Sequence, residues 1–189
     1  MTLDADLRIR IEQALKECAE HARTQVLIDQ RKGKSPTPEE CNEGVPGRNM
    51  TLAMFLGEEM HKVALQCAGE RLGELRPGGF SLEQRYRYDR STGKTTLVSA
   101  EEAQSLLRQW RGSELKGTLV PDVVIHSGEP SRAEAAYDFK FACADSSGPA
   151  RWGRYPEGHP YQGRSQKDMY HEALGVSAWR VIPWLGVLP

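Results

Sequence analysis

The chain has 189 residues, 39% of them hydrophobic and 27% charged, enough to bury a core and too balanced for a disordered or fibrous chain. Its 25 basic and 26 acidic residues leave a net charge of -1, which excludes a nonspecific polycation for nucleic acid but not an enzyme that grips a phosphate backbone locally. No stretch approaches the roughly 18 apolar residues of a membrane span, and the start Met-Thr-Leu-Asp-Ala-Asp is acidic where a signal peptide is basic. Cys18, Cys41, Cys67 and Cys143 are scattered with no CxxC pair, so reduced thiols in a cytosol-like compartment are expected.

Leu3, Leu7, Ile11, Leu15 and Cys18 recur at helical spacing and predict a first helix over 3–30. The breakers from Gly33 to Gly47 then predict loop, a linker or flexible arm. A second helix is expected from a cap at Asn49 or Thr51 to about Leu72, with a stripe of Leu52, Leu56, Met60, Val63 and Cys67. Beyond Pro77-Gly-Gly79 the period shortens. Residues 84–88 and 94–98 form a hairpin around Asp89-Arg-Ser-Thr-Gly93, and Ser99 caps a short helix over 100–110. Strands are expected at 118–125 and 135–141, joined by a turn at Ser127-Gly-Glu-Pro. A Gly/Pro-rich loop over 146–163, a helix over 165–174 and a last strand over 179–185 follow. This order predicts an α/β fold, a central mixed sheet flanked by helices with an N-terminal helical extension.

The chemistry concentrates in Gly117-Thr-Leu-Val-Pro-Asp122 and Ala136-Tyr-Asp138-Phe-Lys140-Phe. Strand alternation puts Tyr137, Phe139 and Phe141 on one face and Asp138 with Lys140 on the other. Two carboxylates brought together repel each other and invite a hard divalent cation, beside which a lysine can orient a water or offset phosphate charge. A strand with one solvated face explains Asp138 and Lys140 equally simply. At about 100° per residue Glu59 falls within the second helix's apolar stripe and Glu58 off it, so Glu59 is the better third acid. A position at the stripe's edge, snorkelling to water, suits Glu59 as well. Arg164, Gln166 and Lys167 cluster at the late helix's start, with Arg151, Arg154 and His159 in the loop before it; this composition suits a phosphate clamp or a solvated helix start.

Pro121-Asp122 followed by Asp138-Phe-Lys140 sixteen residues on resembles the signature of the PD-(D/E)xK nuclease superfamily, with the flavour of its VRR-NUC-like bacterial toxin branch. The resemblance covers about residues 50–185 in element order. It implies a restriction-endonuclease-like core over 49–189, with 1–48 as helix and arm, and Mg2+- or Mn2+-dependent cleavage of DNA. Asp122, Asp138 and Phe139 would be the metal ligands. Lys140 would be the water-orienting base, Glu59 or Glu58 the helix acid, and Gln166 or Gln162 the helix glutamine. Arg164 and Lys167 would bind substrate. Asp in place of the commoner Glu at 138 shortens the reach. The context implied is an antibacterial toxin or effector acting in the cytoplasm, delivered without a classical signal peptide and neutralised by an immunity protein, with no membrane or small-molecule cofactor involved. A repair or restriction nuclease, an RNA-cleaving toxin and a non-catalytic binding module are the alternatives.

Other signals are set aside. Ser91-Thr-Gly-Lys94 lacks the earlier glycine of a phosphate-binding loop, since position 88 is Tyr. Asn49-Met-Thr51 reads as a helix start rather than a glycosylation site. His61 and His171 have no histidine partner at i, i+4 for zinc. Trp152, Trp179 and Trp184 suit packing better than base stacking.

Overall fold

A computed structural model describes residues 3–145 and 148–189. The protein is α/β. Helices α1 (Ala5–Arg31), α2 (Pro38–Cys41) and α3 (Leu52–Leu75) precede strands β1 (Phe80–Leu82), β2 (Arg85–Asp89) and β3 (Lys94–Val98). Helix α4 (Ala100–Arg108) leads to β4 (Thr118–Leu119), β5 (Val123–His126) and β6 (Ala133–Phe139). Helix α5 (Gln166–Leu174), β7 (Ala178–Ile182) and β8 (Gly186–Leu188) complete the chain. One sheet runs β1-β5-β6-β7-β8 and a smaller one β3-β2-β4. The larger sheet is mixed. Its β1–β5, β5–β6 and β7–β8 ladders are antiparallel, whereas the Ala136 N–H meets Ser177 O and the Lys140 N–H meets Val181 O, partners that advance together in the parallel sense.

The chain divides into two compact units. The first holds Arg76–Asp138 and Trp152–Trp179; the second holds Asp4–Leu75, Phe139–Arg151 and Arg180–Pro189. In the first, α5 lays Met169 and Tyr170 on Val124 of β5 and Ala136 of β6, and Tyr86, Tyr88, Leu119 and Tyr161 complete that core. The expected hairpin is present, with Arg85 opposite Val98 and Asp89 opposite Lys94. The expected strand 118–125 is two strands. Pro121 has no N–H for a ladder, so β4 pairs with β2 and β5 pairs with β1 and β6. Strand β1 itself, directly after Gly79, is an element that the alternation did not reveal.

In the second unit α1 packs along α3, joining Ile11, Leu15, Cys18 and Ala22 of one stripe and Leu56, Met60, Ala64 and Leu72 of the other as buried positions. Asp4 caps α1 by accepting from the Leu7 N–H at 3.1 Å, and Thr51 rather than Asn49 caps α3, accepting from the Met54 N–H at 3.3 Å. Ile11 and Leu15 are fully buried, each contributing about 1.5–3 kcal/mol, so α1 belongs to this unit's core. Within the expected loop, Thr37 and Glu40 form a capping box around α2. The last strand is a hairpin: Pro183, Trp184 and Leu185 form its turn, Trp184 with φ of 63°.

The thiols expected to be reduced are paired. Cys18 bonds Cys67 and Cys41 bonds Cys143, at sequence separations of 49 and 102. Local spacing carries no trace of such pairs, because chain folding rather than sequence neighbourhood brings them together. Among the described residues no helix is long and apolar enough to cross a membrane.

Candidate functional site

In the β5–β6 hairpin Val123 stands opposite Tyr137 and Val124 opposite Ala136. Asp122 lies immediately before β5, just beyond the last paired residues, and Asp138 lies in β6. Pro121 stops the ladder there, and the Asp122 N–H donates to Asp138 Oδ1 at 3.1 Å. Alternation places both aspartates on the face that carries Val124 and Ala136, the face covered by α5. From α5 the Tyr170 hydroxyl donates to Asp138 Oδ2 at 3.3 Å and also lies 3.3 Å from Val120 O. Asp138 is 3% exposed and Asp122 half-buried. The alternative of a solvated face does not hold for Asp138: residues 135–139 are buried on both faces of β6.

Burial first, and then the carboxylates of Asp138 and Asp122 and the neighbouring Tyr155 hydroxyl, push the Tyr170 hydroxyl well above its ordinary range. It therefore keeps its proton and serves as a fixed donor to Asp138. Both carboxylates thus bear on one hydroxyl.

The start of α5 is organised by its own residues. Ser165 Oγ accepts from the Asp168 N–H at 3.1 Å, and Asp168 answers to the Ser165 N–H at 3.3 Å. Hydrogen bonding from the Ser165 side chain, and then from its N–H, holds the Asp168 carboxyl below the usual carboxylate range. The Gln166 N–H donates to Gly153 O at 2.9 Å, while the Gly153 N–H donates to Gln166 Oε1 at 3.2 Å. Two main-chain amides of this helix start, those of Gln166 and Asp168, are therefore in use, and Asp168 adds a negative charge beside them. Gln162, the alternative glutamine, accepts from the Gly158 N–H at 2.9 Å in an exposed turn. Arg164 is exposed and pairs with Glu172 at 3.2 Å; Lys167 is half-buried.

Asp122, Asp138, Gln166, Arg164 and Lys167 belong to the first unit; Glu58, Glu59, Phe139 and Lys140 belong to the second. Glu59 has a side chain 29% exposed and an ion pair with Lys62 at 2.6 Å, so its place near the apolar stripe is compensated by a cation. Glu58 is exposed. Lys140 follows the end of β6, half-buried, its N–H on Val181 O at 2.9 Å. Phe139 and Phe141 stack at 6.2 Å, as the shared face predicts. The Phe139 carbonyl lies 3.0 Å from His61 Nε2, and His61 Nδ1 lies 2.9 Å from Gly57 O. His61 is therefore a bridge between α3 and the end of β6.

Among the described residues no group of three or more His, Cys, Asp or Glu side chains is gathered to hold a metal. Two carboxylates nevertheless suit Mg2+, which takes one or two acids and keeps several waters. The Asp122–Asp138 pair fits that donor set, whereas the Phe139 carbonyl already faces an imidazole nitrogen. Tyr170 and Gly153 were not singled out from the sequence, although Tyr170 lies one helical turn after Gln166. No family model matches the chain, and no curated protein and no solved structure matches it.

Proposed function

We propose that the chain is a divalent-metal-dependent nuclease that hydrolyses phosphodiester bonds of DNA on a restriction-endonuclease-like core. The observation that supports this reading is the hydrogen bond from the Asp122 N–H to Asp138 Oδ1, which joins two residues sixteen apart in sequence. Asp122 and Asp138 would hold Mg2+ or Mn2+. When bound, the ion supplies Lewis acidity at the phosphate and lowers the pKa of a water. Tyr170 fixes the rotamer of Asp138 by donating to Oδ2. The resemblance alone gives Lys140, two residues beyond Asp138 in sequence, the role of orienting the attacking water or offsetting developing charge. Arg164 and Lys167 supply the local positive charge that a chain of net charge -1 needs at its substrate. The toxin context, with an immunity protein as partner, belongs to this proposal and rests on the resemblance alone.

A second reading is favoured by the same buried acid. Both Asp138 oxygens accept protein hydrogen bonds, as a purely structural carboxylate would. Supercoiled plasmid incubated with the protein, with Mg2+ or with EDTA, separates the two. Metal-dependent nicking lost in Asp138→Asn supports the nuclease. Intact plasmid and RNA, with no melting shift on adding Mg2+, support the structural reading.

A further inference from the structure

The two disulfides lie in one unit but carry different burdens. Cys18–Cys67 joins α1 to α3, and Cys18 is fully buried between stripes that pack on each other without it. Opening that bridge leaves both sulfurs where helix packing put them. Cys41–Cys143 joins two weaker segments. Cys41 ends α2, a four-residue helix far shorter than one that stands alone in water. A further tie on α2 is the partly exposed Arg31–Glu40 ion pair. Cys143 lies in irregular chain three residues beyond Lys140, among contacts of Phe141 with His61 and of Arg23 with Ala142 O and Asp145.

We propose that Cys41–Cys143 is a reducible latch on the segment that carries Lys140, and that Cys18–Cys67 is a structural staple. The consequence for activity rests on the nuclease reading; the opening itself does not. A thiolate of a small reductant such as glutathione attacks one sulfur of the bridge, forming a mixed disulfide and releasing the other cysteine as thiolate, which takes a proton. A second reductant thiolate resolves the mixed disulfide. Two electrons pass to the protein, two cysteine thiols result, and the reductant leaves as its own disulfide. Attack requires local opening, which costs least where the bridged elements are short; burial does not separate the two bridges, since Cys41 is 7% exposed and Cys143 packs beside Val26, Leu27, Leu56 and Met60. The Cys41–Cys143 bridge therefore opens before Cys18–Cys67. With it open, residues 141–145 lose one fixed point and Lys140 its exact placement, and a catalytic group displaced by about 1 Å can cost on the order of 100-fold in rate.

The test titrates the full-length oxidised protein with reduced glutathione, alkylates free thiols and locates them by mass spectrometry, with limited proteolysis and plasmid cleavage in parallel. Alkylation at Cys41 and Cys143 first, new cleavage by protease within 33–47 and a melting transition that persists are expected. The pair Cys41→Ser with Cys143→Ser should show the same proteolysis without reductant and cut plasmid at least about tenfold more slowly. The pair Cys18→Ser with Cys67→Ser should cut as the oxidised parent does. Simultaneous opening of both bridges, or opening of Cys18–Cys67 first, overturns the latch. Equal cleavage by the Cys41/Cys143 double variant and the parent overturns it too. If the oxidised parent cuts no nucleic acid, the nuclease reading fails, and alkylation order with proteolysis still decides whether the bridge opens selectively.

Discussion

Asp122 immediately precedes β5, and its main-chain N–H donates to the side chain of Asp138 on β6. Like charges brought together across neighbouring strands are destabilising when nothing neutralises them. Asp122→Asn should therefore raise the melting temperature of metal-free protein slightly while removing the shift produced by Mg2+. Plasmid cleavage should fall on the order of 100-fold. Asp138→Asn keeps an acceptor for the Asp122 N–H and should lose cleavage with little loss of fold. A variant pair that keeps the full Mg2+ shift would remove these acids from any metal site.

Tyr170 roofs Asp138. Tyr170→Phe takes a hydrogen bond from a buried carboxylate and should cost about 1–3 kcal/mol at pH 7, read from urea unfolding. The pH dependence has a definite sign. The unfolded tyrosine ionises near 10 and the folded one well above, so between these values the folded state holds more protons and stability falls as pH rises. The parent should lose stability above about pH 10 more steeply than Tyr170→Phe. Tyr86, Tyr155 and Tyr161, also raised by burial, keep part of that loss in both.

Much of this arrangement was legible because it is local. A cap offered at Asn49 or Thr51, another at Ser99, and the apolar stripes mark helices, and the turn after Asp89 marks the hairpin. The 122/138 contact was half legible: two strands and a turn imply neighbours, but only the fold shows the hydrogen bond that joins the two residues. What stayed hidden depends on distant partners. Alternation through Thr118–Ile125 cannot show that Pro121 hands the chain from one sheet to the other. Pro183 reads as a flaw in a strand, yet it opens a turn in which Trp184 adopts a left-handed φ. The disulfides and the Tyr170 hydroxyl likewise join residues far apart in sequence.

Gly153 and Gln166 hold each other by reciprocal main-chain and side-chain hydrogen bonds. A Cβ at position 153 would lie 2.9 Å from Gln166 Oε1, close enough that the amide must move. Gly153→Ala should thus act like Gln166→Ala. If Gln166 positions substrate, both raise the DNA concentration needed for half-maximal cleavage and leave the melting temperature within a degree or two. A fall in stability without any change in cleavage would make this contact a loop anchor only.

His126 sets the acid side of the stability profile. It is 3% exposed; its Nε2 lies 3.0 Å from Ser81 Oγ, and its Nδ1 accepts from the Gly128 N–H at 3.2 Å. Accepting at Nδ1 assigns the ring proton to Nε2, the neutral tautomer that donates to Ser81, and it leaves no place for a second proton. The same tautomer denies Ser81 a general base, so this contact is structural. Burial lowers the His126 pKa, nearby Arg76 lowers it further, and the Phe80 backbone and Glu134 oppose the shift. The unfolded histidine binds its proton near pH 6.5, the folded one only at lower pH, so the unfolded state gains protons first and stability falls as pH drops through that window. One proton allows at most about 1.4 kcal/mol per pH unit. Urea unfolding at pH 7.5 and 5.5 should show the parent losing more stability than His126→Gln, whose amide can still donate to Ser81. Equal losses would mean that His126 takes up a proton in the folded protein and that the Gly128 contact rearranges to allow it.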